Sequence, residues 1–413
     1  MAKVAIIFCL FFALAANCSN NGVAQPDDGA RPQVPSKEEP AGLATDFHPA
    51  AHDFNHYVPY LAGKRVGLIV NQTSTTEEGH LVDALLQRGV QISTIFAPEH
   101  GFRGTADAGA TVADGRDTET GLPIVSLYGR NKKPTAAQLA DVDVLVFDIQ
   151  DVGVRFYTYI WTLYYAMEAA ARHGKQVMVL DRPNPNGQLV DGPLLKTGFE
   201  SFLGLAPIPA AHGMTVGEFA QMVNGEAWLP EGLRASLMVI PMQGYRRDLP
   251  YELSVPPSPN LPNQRSVYLY PHLCWFEGTA LSIGRGTDKQ FQVIGHPNLT
   301  YGDFYFTPRP GPGSANPKLD GQRCRGLDLT TLAPQHLVGL REFDLSYLLR
   351  AYRDLSAQGI PFFTRPEHFD LLAGTDELRK SIEAGQEIEH IRTRWNDALA
   401  SFKERRKPYL LYP

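Results

Sequence analysis

An α/β protein, built on a doubly wound parallel sheet with a smaller α+β domain behind it, is what this sequence predicts. Three observations carry that reading. The chain of 413 residues, 43% hydrophobic and 20% charged, has room for two or three units at roughly 150 residues each. Short β-branched runs alternate with stretches of helical pattern along its first half, the rhythm of βαβ units. Those runs are apolar throughout instead of at every second residue, as strands covered on both faces require. The N-terminal unit is therefore expected to be Rossmann-like.

Residues 1–17 hold Lys3, an unbroken apolar run over 4–16 and small residues ahead of Cys18. The run falls short of the roughly 20 residues that span a bilayer as a helix, so the segment reads as a secretory signal. Ala15-Ala16-Asn17-Cys18 resembles a bacterial lipobox, with Asn17 departing from the usual small residue. A chain exported across the inner membrane and held in the periplasm by lipid on Cys18 is the expectation; plain secretion and an uncleaved anchor are the alternatives. Residues 18–42 are rich in Pro, Asp, Glu and Asn with no apolar period, too polar to fold, and read as a flexible tether.

The Rossmann-like unit is expected over 43–255. Its strands are placed at 65–70, 91–96, 144–149 and 176–180, with helices near 80–88 and 161–173. Thr215-Val216-Gly217-Glu218 has capping-box spacing and should open a further helix before Asn224. The proline-rich stretch 250–271 forbids helix and central strand alike, and predicts a domain crossing or a rigid active-site loop. A boundary near Val255 follows. In the smaller domain, 256–413, aromatic segments stand at 267–270, 291–293 and 304–306, and helices at 346–354 and 377–403.

Composition excludes several functions. Lys+Arg of 38 against Asp+Glu of 44 gives a net charge of −6, the wrong balance for nucleic acid. With four cysteines and no CxxC, a thiolate metal site is not expected, and Cys274 and Cys324 are either a pair or two isolated buried thiols. There is no GxGxxG after the first strand, no GxxxxGK[ST] and no HExxH, so neither cofactor nor metal is expected. Ala280-Leu281-Ser282-Ile283-Gly284 approximates a nucleophile elbow but lacks its strand–turn–helix setting. A serine esterase using Ser282 therefore stays as a competing reading. The oligomeric state is not legible.

In an open parallel sheet ligands gather at the carboxyl ends of strands. Four polar clusters follow the predicted strands at 71–74, 97–104, 148–157 and 181–187, and should share one rim. Glu99 lies between Pro98 and a glycine-bordered His100 and Arg103, a setting for a partly desolvated catalytic acid. Asp148 and Asp151 lie three apart across a strand end, so only one is sure to face the cleft. Asn71, His100, Gln150, Tyr157 and Asn184 supply further rim contacts, although Asn71 could equally cap a turn. Arg103, Arg155 and Arg285 sit among glycines and aromatics, where a guanidinium can fork onto a ligand carboxylate. In the second domain Trp275-Phe276-Glu277 and Arg285 place a carboxylate, an aromatic pair and an arginine close together, as a sugar platform would. Aromatic rims facing paired carboxylates suggest glycoside hydrolysis.

Six motifs in order make this suggestion sharper: 67–74, Pro98-Glu99-His100-Gly101-Phe102-Arg103-Gly104, 147–159, 180–187, Ser258-Pro259-Asn260-Leu261-Pro262 and 276–287. From about Asp46 to the C-terminus the chain resembles the bacterial exo-β-N-acetylmuramidase family, once known only as a domain of unknown function. The resemblance implies a two-domain glycosidase with its active site in the cleft between domains. It further implies release of N-acetylmuramic acid from non-reducing ends of peptidoglycan fragments during wall turnover, with muramyl saccharides as partners. Glu99 matches the family's EHGFRG glutamate and is the expected acid. Asp148 or Asp151 would activate water or support the charge at the anomeric carbon, and Arg103, Arg155 or Arg285 would bind the lactyl carboxylate. A non-catalytic muropeptide-binding lipoprotein is the remaining alternative.

Overall fold

Among the residues described by the structure, a computed structural model covering 47–103 and 114–413, seven strands make the central sheet. They are β1 (Val66–Val70), β2 (Ile92–Ala97), β3 (Gly115–Arg116), β4 (Pro123–Ser126), β5 (Val144–Asp148), β6 (Gln176–Leu180) and β7 (Ser236–Ile240). Their order is β7-β6-β5-β1-β2-β4-β3, parallel throughout except for β3 at one edge. The predicted signal, the tether and Cys18 lie outside the described residues.

Period-two alternation sorts the strand residues onto two faces. Ile69, Leu145, Phe147, Val177 and Val179 enter one core with helices Tyr159–Arg172 and Val216–Gly225. Leu68, Val70, Val144, Val146, Met178 and Leu180 enter the other, covered by helices Phe54–Leu61 and Leu81–Gln87. This is the doubly wound arrangement that the continuous apolar runs required. The capping box predicted at Thr215 is present: its hydroxyl accepts from the Glu218 backbone N–H at 3.3 Å, and the Glu218 carboxylate accepts from the Thr215 N–H at 2.9 Å.

The first core does not stop at the sheet. It continues through Val267, Leu273, Trp275, Phe343, Phe369 and Trp395, so the C-terminal part is docked by burial of apolar surface. That part carries an antiparallel sheet of Val293–His296, Phe304–Phe306 and Cys324–Asp328, the last in the middle. Asp191 ties the two parts together, accepting from Trp395 Nε1 at 3.0 Å, Arg392 Nη1 at 2.9 Å and the Phe343 N–H at 2.7 Å. The chain's last residues return to the sheet, where the Tyr412 hydroxyl donates to Asp181 at 2.7 Å.

Two expectations about elements are corrected. The proline-rich stretch ends in a helix, Gln264–Leu273, with Pro271 inside it. Asn263 and Ser266 form its capping box, and the carbonyl of Val267, which Pro271 cannot satisfy, accepts from Asn186 Nδ2 at 3.2 Å. The single helix expected over 377–403 is three helices, Glu377–Glu383, Ile388–Thr393 and Asn396–Arg406. Gly385 at φ +69° ends the first. Cys274 and Cys324 are separate buried thiols. Among the described residues no helix is long and apolar enough to cross a membrane.

Candidate active site

The loops after β1, β2, β5 and β6 lie side by side because those strands are neighbours in the sheet. A cleft of about 590 Å³ opens beyond them, walled on one side by the loops after β2, β4 and β5 and on the other by residues 258–291 and 365–372. The prolines preceding helix Gln264–Leu273 brace this wall: the Pro257 carbonyl accepts from Tyr157 at 2.8 Å and Gln72 at 3.2 Å.

Glu99 enters the cleft from a strained turn. His100 and Gly101 both adopt left-handed backbone, φ +70° and +79°, and the Gly101 N–H closes the turn on the Pro98 carbonyl at 3.0 Å. For His100 that conformation costs on the order of 1 kcal/mol, a cost typical of functional sites. Both oxygens of Glu99 accept hydroxyls: Tyr128 donates to Oε1 at 2.8 Å and Thr158 to Oε2 at 2.9 Å. Donors so placed fix the side chain's position in the cleft.

The facing carboxylate is of another kind. Glu277 accepts from Arg285 Nε at 3.0 Å and Nη2 at 2.5 Å. Burial works to raise its carboxyl, but the Arg285 guanidinium, helped by Lys318 and His368, outweighs that and holds it below the ordinary range. Glu277 is thus an anion matched by a cation, and the hydroxyls of Tyr128 and Thr158 hold Glu99. Arg365 and Lys132 also line the cleft and form no ion pair among the described residues. Lys132 lies 4.6 Å over the Phe202 ring. Behind Glu277, Lys318 donates to the Phe276 carbonyl at 3.0 Å, and burial pulls its amine down to about 8. A chain that is acidic as a whole therefore presents an excess of cations in its cleft, which suits an anionic ligand.

Residues 66–265 and 268–412 match the N-terminal and C-terminal family models of the exo-beta-N-acetylmuramidase NamZ. The chain belongs to the exo-β-N-acetylmuramidase family. Over 380 residues it is 40% identical to the peptidoglycan beta-N-acetylmuramidase NamZ of Bacillus subtilis (strain 168), spanning 86% of this chain and 89% of that protein. Two solved DUF1343 family proteins from Bacteroides fragilis NCTC 9343 share the fold. One is 44% identical with a TM-score of 0.81, covering 89% of this chain and 99% of its own; the other is 30% identical with a TM-score of 0.74, covering 89% and 100%.

Within this exo-β-N-acetylmuramidase family member, Glu99, His100, Tyr157, Glu277 and Arg285 line the cleft as expected. Other expected site residues do not. Asp148 follows the alternation of β5 onto the face of Val144 and Val146, where Arg182 holds both its oxygens at 2.5 and 2.9 Å. Asp151 is buried beneath the loop; one oxygen accepts from the Gly153 N–H at 2.7 Å and the other has no partner among the described residues. Asn71, Gln150 and Asn184 brace loops: Asn71 accepts from the Thr73 N–H at 2.9 Å, Gln150 donates to Pro183 at 2.7 Å and Asn184 to Met214 at 2.9 Å. Gly153, at φ +81°, packs so tightly against Asn184 that a Cβ would stand 2.2 Å from its side chain.

The arginines part ways as well. Arg103 pairs with Asp117 at 2.8 Å. Arg155 is fully buried and points into the protein, donating to the carbonyls of Pro193, Ile208 and Leu372 at 3.1, 2.8 and 3.0 Å. The aromatic pair Trp275 and Phe276 belongs to the core, and with Tyr157 the cleft's rings are Tyr128, Phe156, Tyr159, Phe202, Tyr270 and Phe291. Ser282 is buried outside the cleft, its backbone paired with Gly295 and its hydroxyl accepting from the Gly284 N–H at 3.3 Å, which removes the esterase reading.

Tyr128, Lys132, Thr158, Arg365 and His368 are cleft residues that sequence reasoning did not single out. Thr158 and Tyr159 stood inside a recognised motif. Lys132 follows Arg130 and Asn131 in what looks like an ordinary charged loop.

Burial pushes the Asp151 carboxyl up to about 7. A carboxyl raised in the folded state leaves stability intact below its unfolded value near 4 and erodes it as pH rises towards 7. Asp151→Asn is therefore expected to gain on the wild type by on the order of 4 kcal/mol between pH 4 and pH 8. Urea unfolding at both pH values reads this, and parallel curves for the two proteins would contradict it.

Proposed function

We propose that this chain is an exo-acting glycosidase that releases N-acetylmuramic acid from the non-reducing ends of peptidoglycan fragments. The observation that carries the proposal is Glu99, held by Tyr128 and Thr158 in a cleft whose other carboxylate is tied to Arg285. In this reading Glu99 protonates the glycosidic oxygen, and the two hydroxyls stabilise the carboxylate that forms. The name of the Bacillus relative, a peptidoglycan beta-N-acetylmuramidase, supports the same substrate class.

Muramic acid differs from glucosamine by a lactyl ether that ends in a carboxylate. Arg365, with Lys132 across the cleft, is the unpaired cation suited to it, in place of the three arginines expected from sequence. Arg365→Ala should raise KM for a muramide by about tenfold to a hundredfold, the loss of one charge-assisted contact, and leave any slow turnover of the matching glucosaminide unchanged. Equal losses on both substrates would contradict this role. On MurNAc-GlcNAc and GlcNAc-MurNAc disaccharides, free N-acetylmuramic acid should appear only from the first; release from neither would favour a binding lipoprotein.

Export and lipidation of Cys18 complete the proposal, supported by the apolar run at 4–16 and the lipobox-like spacing. Labelling cells with a clickable palmitate analogue should mark the full-length protein and not Cys18→Ala. Label on both would overturn the anchor.

A further inference from the structure

A second cluster of chemistry lies away from the cleft. His48 precedes the short turn Ala50–His52 and His52 ends it, and Glu77 sits in the tight turn between strands Thr75–Thr76 and Gly79–His80. One oxygen of Glu77, Oε1, stands 3.8 Å from His48 Nε2 and 3.8 Å from His52 Nδ1. Those distances are too long for hydrogen bonds. They are close to the separation of about 3.4 Å between ligands that one tetrahedral ion holds at 2.0–2.2 Å. All three ligand atoms lie within 4.8 Å of one another.

The His52 nitrogen supplies the independent observation. Nδ1 is buried and has no hydrogen-bond partner among the described residues, a state that costs free energy unless something binds there. Glu78, the adjacent carboxylate, is occupied by Arg88 at 2.5 and 2.7 Å. Glu77 has no Lys or Arg partner among the described residues, and its exposed side chain can close the small remaining gap by rotation.

We propose that His48, His52 and Glu77 form a zinc site, with water as the fourth ligand. Two imidazoles and a carboxylate match that ion. None of the three residues lines the cleft, so the ion stands apart from the cleft's chemistry. It clips the segment leading into the first helix onto the hairpin turn at Glu77.

The test uses the full-length protein stripped with EDTA and titrated with zinc chloride by calorimetry, beside His48→Ala, His52→Ala and Glu77→Gln. His48 and Glu77 are exposed, so their variants should fold normally. One zinc per chain is expected in the wild type, with at least about tenfold weaker binding in each variant, and a zinc-dependent rise in Tm for the wild type alone. Hydrolytic activity should be the same with and without EDTA. No zinc bound by the wild type, or equal affinity in wild type and all variants, would overturn the site.

Discussion

Glu99→Gln lowers kcat on a muramic acid glycoside by about 10²–10⁴-fold, the usual contribution of a positioned general acid. The amide is isosteric: its oxygen can still accept from one of the two hydroxyls, which donate to Glu99 at 2.8 and 2.9 Å, and its NH2 can donate to the oxygen of the other. Folding should therefore be unaffected, and KM should change little, because the lost function is a proton and not a contact. Purified variant and wild type compared at the same pH, with circular dichroism to verify the fold, read this directly. A loss of less than about tenfold would mean that another group supplies the proton.

Arg155→Ala costs on the order of 3–5 kcal/mol of stability, the largest structural effect expected from a single residue here. Its side chain has no exposed surface, and its removal takes one donor each from the buried carbonyls of Pro193, Ile208 and Leu372, of which Ile208 keeps the Leu195 N–H at 3.1 Å. Two glycines are shaped around it: a Cβ at Gly374 would stand 2.5 Å from its Nη2 and one at Gly204 3.1 Å from its Cδ. No carboxylate answers its charge in these hydrogen bonds, and burial pulls the guanidinium down to about 9. Arg155 thus clamps the loop after β5 to helix Pro366–Ala373, which also carries the cleft residues His368 and Leu372. Arg155→Lys should recover only part of the loss, since one ammonium cannot reach three carbonyls on separate segments. Guanidinium unfolding measures the effect. A stable variant that had selectively lost muramides over glucosaminides would instead make Arg155 a substrate residue.

These two residues also mark where sequence reasoning works and where it fails. Glu99 was legible because its neighbours are unusual: a proline before it, a histidine and glycine after it, all at the end of a strand whose apolar run was plain. The sheet was legible for the same reason, since a strand buried on both faces shows in every residue. Arg155 was misread because an arginine among glycines and aromatics has the same local pattern whether it reaches a ligand or buried carbonyls, and only the arrival of Leu372, more than two hundred residues later, decides between them. Asp148 needed the phase of β5 and the arrival of Arg182 from the next strand. Arg365 carries no local signal at all, because its place in the cleft comes from helix Pro366–Ala373 packing against the turn Cys274–Gly278. Local chemistry survives in sequence, whereas partners supplied by tertiary packing do not.

In the proposed reaction this cleft hydrolyses a muramic acid glycoside by way of Glu99 and an unpaired cation. Hydrolysis of a chromogenic N-acetylmuramide, run beside its N-acetylglucosaminide twin with wild type and Glu99→Gln, tests it most directly. Release is expected from the muramide alone, and is lost in the variant. Equal release from both sugars, or undiminished release by Glu99→Gln, would contradict it.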